Sequence, residues 1–256
     1  MTIARVLVVA GSDSGGGAGI QADIKTITML GGHAMTAITA LTAQNTLGVQ
    51  AVHSVPSDMV VAQMRSCIED IGIDAVKIGM IGSAAIAHAV ADVLDGLDVP
   101  IVFDPVMVAT SGSVLADTET IAAFERLMRI ASVVTPNLPE LAALGGEAAV
   151  LAHGCHLLAK GGHAEGQSVT DRLVSPTGEI VRLTGKRIET DDTHGTGCTL
   201  ASALACGLAQ GLPIEEAFRR AVRFVRIAIL AAPGLGHGHG PLGHALGVDP
   251  FEEIEG

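Results

Sequence analysis

The chain has 256 residues, 48% of them hydrophobic and 16% charged, so it can bury a core without disulfides or metal, and intrinsic disorder is excluded. Its net charge of −12 argues against a nucleic-acid partner. Aromatics at 2%, with no Trp or Tyr, argue against an antibody-like sandwich or a base-stacking RNA surface.

Residues 5–10 read as a buried strand, followed by the glycine-rich stretch 11–19 and a helix over about 20–30. Apolar runs at 34–41 and 49–55 precede a helix that Ser57 and Asp58 open and that runs to about residue 71. Strands are then expected at 75–78, 100–103 and 131–134, alternating with helices at 83–94 and 117–130. A short helix over 139–144, a strand at 155–159 and a hairpin of 169–174 with 179–183 across Ser175-Pro-Thr-Gly178 come next. Two helices close the chain, at about 197–209 and 214–231, with Gly211 and Pro213 marking the break.

Continuous apolar strands that alternate with helices predict an α/β fold whose mostly parallel central sheet is covered by helices on both faces. No linker, charge block or internal repeat divides the chain, so one domain over 1–256 is expected. No run of about 20 apolar residues is present, and the apolar start is too short for a signal peptide. The expectation is therefore no membrane partner and a cytoplasmic location. Cys67, Cys155, Cys198 and Cys206 form no C-x-x-C pair, which indicates neither a zinc knuckle nor a disulfide framework.

In an open α/β sheet, ligands bind outside the carboxyl ends of the strands. The expected strands end in Gly11-Ser-Asp-Ser-Gly-Gly-Gly-Ala-Gly19, Gly79-Met-Ile-Gly82, Asp104-Pro-Val-Met107, Thr135-Pro-Asn-Leu-Pro-Glu140 and Lys160-Gly-Gly-His163. Polar, glycine-rich and ionisable residues gather there, which points to a site at that edge.

Asp192-Thr-His-Gly-Thr-Gly-Cys198 opens an Ala/Leu-rich helix. Its glycines allow successive N–H groups to converge, and the helix start adds its positive end, a nest suited to a phosphate or to charge developing in phosphoryl transfer. Cys198 falls in the first helical turn, where a lowered thiol pKa is expected. A plain helix entry with a buried cysteine fits the spacing as well. The glycines at 15, 16, 17 and 19 miss the G-x-G-x-x-G spacing and lack a P-loop Lys-Ser/Thr, while Asp13, Ser14, Gln21 and Asp23 suit close approach to a small polar ligand.

Lys160 is one of only four lysines, and its strand-end position suggests an anion contact. Asp104 and Glu140 together suit a magnesium ion shared with substrate phosphates, although each taken singly reads as a cap. His237, His239 and His244 stand in a glycine-rich tail without carboxylates at ligand spacing and read as loop packing. Met80 and Met107, in strand-end loops, suit the lining of a flat apolar pocket.

These segments, in this order, resemble the hydroxymethylpyrimidine/phosphomethylpyrimidine kinases of thiamine synthesis, members of the ribokinase-like superfamily. The resemblance covers nearly the whole chain and is carried by the segments quoted above, together with residues 38–46 ending in Gln44-Asn-Thr46, Val76-Lys-Ile-Gly-Met80 and Thr193-His-Gly-Thr-Gly-Cys-Thr199. The superfamily's sugar kinases usually carry Asp where Cys198 stands.

The resemblance implies a three-layer α/β/α fold and two successive phosphoryl transfers from Mg-ATP, first to 4-amino-5-hydroxymethyl-2-methylpyrimidine and then to its monophosphate. It implies that Gln44 hydrogen-bonds the pyrimidine, with Gly11, Asp23, Met80 and Val106 shaping the pocket. Cys198 becomes the general base, and the N–H groups of Gly195, Thr196, Gly197 and Cys198 stabilise the migrating phosphoryl group. Lys160 neutralises nucleotide charge, Asn137 and Glu140 position magnesium and its waters, and Asp104 stands nearby. A homodimer is also implied.

Two stretches depart from the family pattern. Residues 145–154 are short, leaving at most about two helical turns before the next strand, and 161–170 are compact. Gly16 stands where serine is more usual. The rival readings are a pyridoxal kinase of the same superfamily and a non-catalytic pyrimidine-binding module. The spacing of the glycine-rich turn disfavours a dinucleotide dehydrogenase.

Overall fold

Alternate residues of the central strands are buried on opposite faces of the sheet, so each strand needs cover on both sides. A computed structural model describes residues 3–110, 112–162 and 166–248. His163, and the first two and last eight residues of the expected domain, lie outside the described residues. In chain order the elements are β1 (Arg5–Asp13), α1 (Gly19–Met29), β2 (His33–Asn45), β3 (Gly48–Ser54), α2 (Ser57–Asp70), β4 (Ala75–Ile78), α3 (Ala84–Leu94), β5 (Ile101–Phe103) and α4 (Thr118–Ile130). Then follow β6 (Val133–Val134), α5 (Leu138–Ala143), α6 (Glu147–Leu151), β7 (His156–Ala159), β8 (Ser168–Ser175), β9 (Gly178–Lys186), α7 (Thr196–Ala209) and α8 (Ile214–Leu230).

The strands form one sheet in the order β3-β2-β1-β4-β5-β6-β7-β8-β9. From β2 to β7 neighbours run parallel, while β3 and the β8–β9 hairpin join antiparallel at the two edges. Leu7, Val9, Val76, Ile78, Ile101 and Phe103 pack with α2, α3 and α4 on one face. Val6, Val8, Ala10, Val102 and Leu158 pack with α1, α7 and α8 on the other. The expected three layers are therefore present. Among the described residues no helix is long and apolar enough to cross a membrane.

Two boundaries differ from expectation in an informative way. β1 runs on through Ser12 and Asp13, because after a bulge these residues pair with Leu41 and Thr42 of a longer β2. That extension carries β2 out to Gln44 and Asn45, beyond the sheet's helical cover. The shortened stretch before β7 keeps only the five-residue α6.

Asp23, expected in the ligand pocket, lies elsewhere. One turn into α1 it faces the sheet and α7, fully buried, and Lys77 of β4 donates to both its oxygens at 2.9 Å. Ser202 of α7 adds a hydrogen bond of 2.7 Å to Oδ1. Burial alone works against the Lys77 charge, but Asp23, then Cys198 and Asp104, reverse that and hold the ammonium pKa above its ordinary value. Removing one partner strands the other charge in the core, which costs about 3–5 kcal/mol. Lys77→Met is accordingly expected to lose that much stability in denaturant unfolding, and adding Asp23→Leu to restore part of it. A loss below about 1 kcal/mol for the single variant contradicts the pairing.

Candidate functional site

Because β1, β4, β5, β6 and β7 run parallel, their carboxyl ends meet at one edge. The loops that leave those ends surround a cavity of about 1090 Å³. Gly11, Gln44, Met80, Asp104, Val106, Asn137, Glu140, Lys160, Gly195, Thr196, Gly197 and Cys198 all line it; Asp23 does not. Met107 lines it too, and β9 and α8 close the far end with Leu183, Val222, Val225 and Ile229. Gly11 leaves room for Met80, since a Cβ there would press on the Met80 methyl carbon.

Lys160 stands at the centre of the charged wall. Its Nζ is 2.7 Å from Asp104 Oδ1 and 3.8 Å from Glu140 Oε2. Burial opposes its charge, but Asp104 and Glu140 raise its pKa. Burial raises the Glu140 pKa in turn, against the pull of Lys160. Thr135 donates to Asp104 Oδ1 at 3.0 Å, while Asp104 Oδ2 is buried with no hydrogen-bond partner among the described residues. Glu140 is also a cap: its carboxylate accepts from Asn137 N–H at 2.8 Å, and Asn137 Oδ1 accepts from Glu140 N–H at 2.9 Å. The Asn137 oxygen is thus committed to α5, which leaves its NH2 for the cavity.

A hard cation prefers oxygen ligands, and magnesium commonly takes one or two carboxylates and completes its shell with water and substrate phosphates. The orphaned Asp104 Oδ2, with Glu140 nearby, fits that donor set. Across the cavity, Gly197 leaves the approach open: a Cβ there would lie 3.2 Å from Lys160 Nζ and 3.6 Å from Asp104 Oδ2.

The α7 entry forms the floor. Gly195 adopts a left-handed conformation (φ 89°, ψ 6°), and the first helical hydrogen bond runs from Thr199 N–H to Gly195 O at 2.9 Å. The N–H groups of Gly197 and Cys198 precede that bond and have no intrahelical partner. They form an anion nest on the positive end of a helix of 14 residues.

Cys198 overturns one expectation. Its thiol is not acidified but pushed up to about 11. Burial is the main cause, and the carboxylates of Asp23 and Asp104 add to it against the opposing pull of Lys77 and the Gly19 N–H. Position in a first helical turn is outweighed here by a low-dielectric, acidic surrounding.

His194 and Asp13 escaped the sequence reading as a unit. His194 Nε2 lies 2.9 Å from Asp13 Oδ2 and 3.2 Å from the Gln44 amide, across 181 and 150 positions of sequence. No local spacing signals such a contact; only the long β1 and β2 arms bring the three together. Asp13 also accepts N–H bonds from Gly15, Gly17 and Ala18, so it shapes the turn that enters α1.

The chain matches the phosphomethylpyrimidine kinase family over residues 13–243. It is 48% identical to a hydroxymethylpyrimidine/phosphomethylpyrimidine kinase of Streptomyces coelicolor, over 94% of this chain and 95% of that protein. It is 45% identical to a thiamine biosynthesis bifunctional protein of Geobacter sulfurreducens, over 97% of this chain and 54% of that longer protein. Among solved structures it resembles an ADP complex of Bacillus subtilis pyridoxal kinase with a TM-score of 0.87 and 31% identity, over 96% of this chain and 98% of that one.

The half-buried, weakly acidic thiol has a direct consequence. With a pKa of about 11 against an ordinary 9.0, Cys198 carries about a hundredfold less thiolate than an ordinary thiol at pH 8. Its alkylation by iodoacetamide, read by peptide mass spectrometry, is expected to be at least about tenfold slower than that of a free cysteine peptide and still rising at pH 9.5. A plateau reached by pH 8 contradicts the assignment.

Proposed function

The chain belongs to the phosphomethylpyrimidine kinase family and is a phosphotransferase, and from that premise we propose that it phosphorylates 4-amino-5-hydroxymethyl-2-methylpyrimidine and then the resulting monophosphate, in thiamine biosynthesis. ATP is the phosphoryl donor in this reading. The observation that carries it is the meeting of Gln44, the α7 nest and Lys160 in one cavity.

Gln44 holds the ring, with Gly11, Met80 and Val106 around it, so that the hydroxymethyl group points toward Cys198. The terminal phosphate of ATP rests on the N–H groups of Gly195, Gly197 and Cys198, while that of Thr196 is held by Thr193 O at 3.3 Å. The nucleotide extends past Lys160 toward the apolar end formed by Val222, Val225 and Ile229. Lys160 neutralises charge on the phosphates as they approach. Asp104 and Glu140 would hold magnesium, which supplies positive charge across the phosphates when bound, and Asn137 would orient its waters.

Phosphoryl transfer through a loose transition state depends on positioning and charge stabilisation more than on an early proton transfer. Cys198 receives the hydroxyl proton late in the step. The Lys77 ammonium and the Gly19 N–H favour its thiolate. At pH 7 a pKa of about 11 leaves about one thiol in ten thousand ionised.

The larger identity to the pyrimidine kinase (48%) than to the pyridoxal kinase (31%) favours the pyrimidine as substrate. We further infer one domain over 1–256, a cytoplasmic enzyme and a homodimer. Exposed Leu41, Leu47 and Val52 on the β2–β3 arm offer an apolar surface for the dimer.

The test is pyrimidine-dependent ATP consumption. Cys198→Ala is expected to lose most turnover while still binding nucleotide. The wild-type rate is expected to climb steadily between pH 7 and 9, because the thiolate share rises tenfold per unit below its pKa. Unchanged turnover in the variant, or a flat pH profile, contradicts the base role of Cys198.

A further inference from the structure

The donors and acceptors around Gln44 do not match while its amide nitrogen faces His194. Asp13 is almost fully buried, and its oxygens accept N–H bonds from Gly15, Gly17 and Ala18. Although burial works against its charge, these bonds and His194 hold its carboxyl below the usual range, so it is an acceptor only. The His194 Nε2 atom, 2.9 Å from Asp13 Oδ2, must therefore carry a hydrogen, whatever the state of the other ring nitrogen. A ring N–H cannot accept, yet the Gln44 nitrogen stands 3.2 Å from it.

A second mismatch lies on the other side of the same amide. Thr42 Oγ1 has one hydrogen but faces two acceptors, Ser12 O at 2.9 Å and Gln44 Oε1 at 3.2 Å. An amide turned by 180° fills the same space; the turn removes the facing donors and frees Thr42 of its second acceptor, and the one hydrogen still divided between two acceptors is that of His194. The oxygen then accepts from His194 Nε2–H, which is shared with Asp13. The NH2 group donates to Thr42 Oγ1, whose own hydrogen stays on Ser12 O.

We infer that Gln44 works in this turned orientation, fixed by the Asp13–His194 pair, and that His194 is a specificity-determining positioning residue for the bound ring. The inference rests on the proposed contact between Gln44 and the pyrimidine. Of the two hydrogens and two lone pairs of the amide, the network uses one each and leaves one each for the cavity, in a set order. A 4-aminopyrimidine offers an amino donor beside a ring-nitrogen acceptor; its 4-oxo analogue offers the reverse order. A fixed amide distinguishes them, whereas a free one turns to suit either. His194 is itself held, since its backbone N–H donates to Gly240 O at 3.1 Å and its ring packs against Gly17, where a Cβ would strike it.

The experiment compares kcat/KM for the 4-amino alcohol and its 4-oxo analogue in the wild type and four variants. The wild type is expected to prefer the amino compound by about a hundredfold or more. His194→Phe should cut that preference at least about tenfold, more through KM than through kcat. His194→Gln should restore it, because its amide nitrogen carries two hydrogens, one for Asp13 and one for the Gln44 oxygen. Thr42→Val removes the opposite contact and should lower the preference on its own, which keeps the test available if the Phe variant does not fold. Equal losses in the Phe and Gln variants, or a preference unchanged in His194→Phe while Gln44→Ala abolishes it, overturn the role of His194. A preference unchanged in Gln44→Ala overturns the contact between Gln44 and the ring, and the inference falls with it.

Discussion

The site depends on how closely two helix entries approach each other. A Cβ on Gly195 would overlap the carbonyl oxygen of Gly17, so the turn into α7 can lie against the turn into α1 only as glycine. That contact sets the other spatial relations. His194 comes to rest over Gly17 and reaches Asp13, and Cys198 comes within reach of the Gly19 N–H at the start of α1. The positive ends of two helices thereby converge on one spot, and the Asp13–His194–Gln44 cluster is joined to the α7 entry.

An acidic chain that handles phosphates has to solve its charge problem locally. Two of its four lysines, Lys77 and Lys160, are buried at or beneath the cavity, each paired with a carboxylate. The Lys160 pair opens onto the cavity. Lys77 has no such opening: it sits under Cys198, where Ser202, one turn further along α7, ties Asp23 into the same helix. One pair thus faces the cavity and the other lies beneath Cys198.

Much of this architecture is legible from local pattern. Apolar runs such as 75–78 give β4 its limits, and the caps at Ser83 and Asp117 mark where α3 and α4 begin. The strand-end rule gathers Asp104, Glu140 and Lys160, because parallel strands deliver their exit loops to one edge. Asp23 misleads because a carboxylate near a glycine-rich turn looks like a ligand contact; only tertiary packing shows that it faces Lys77. The Cys198 thiol misleads because sequence reveals the helix start but not the depth of burial or the carboxylates beside it. The Asp13–His194–Gln44 cluster is invisible for a simpler reason: its members come from three distant segments, joined by the register of β1 against β2 and by the fold of α7 onto α1.

One complex would reveal the decisive geometry: the structure with the pyrimidine alcohol, magnesium and a non-hydrolysable ATP analogue bound together. In the proposed arrangement the ring lies against the Gln44 amide, the alcohol oxygen beside Cys198, and the terminal phosphate on the N–H groups at the start of α7 within reach of Lys160. A ring bound at the Val222–Ile229 end, or a terminal phosphate remote from α7, would contradict it.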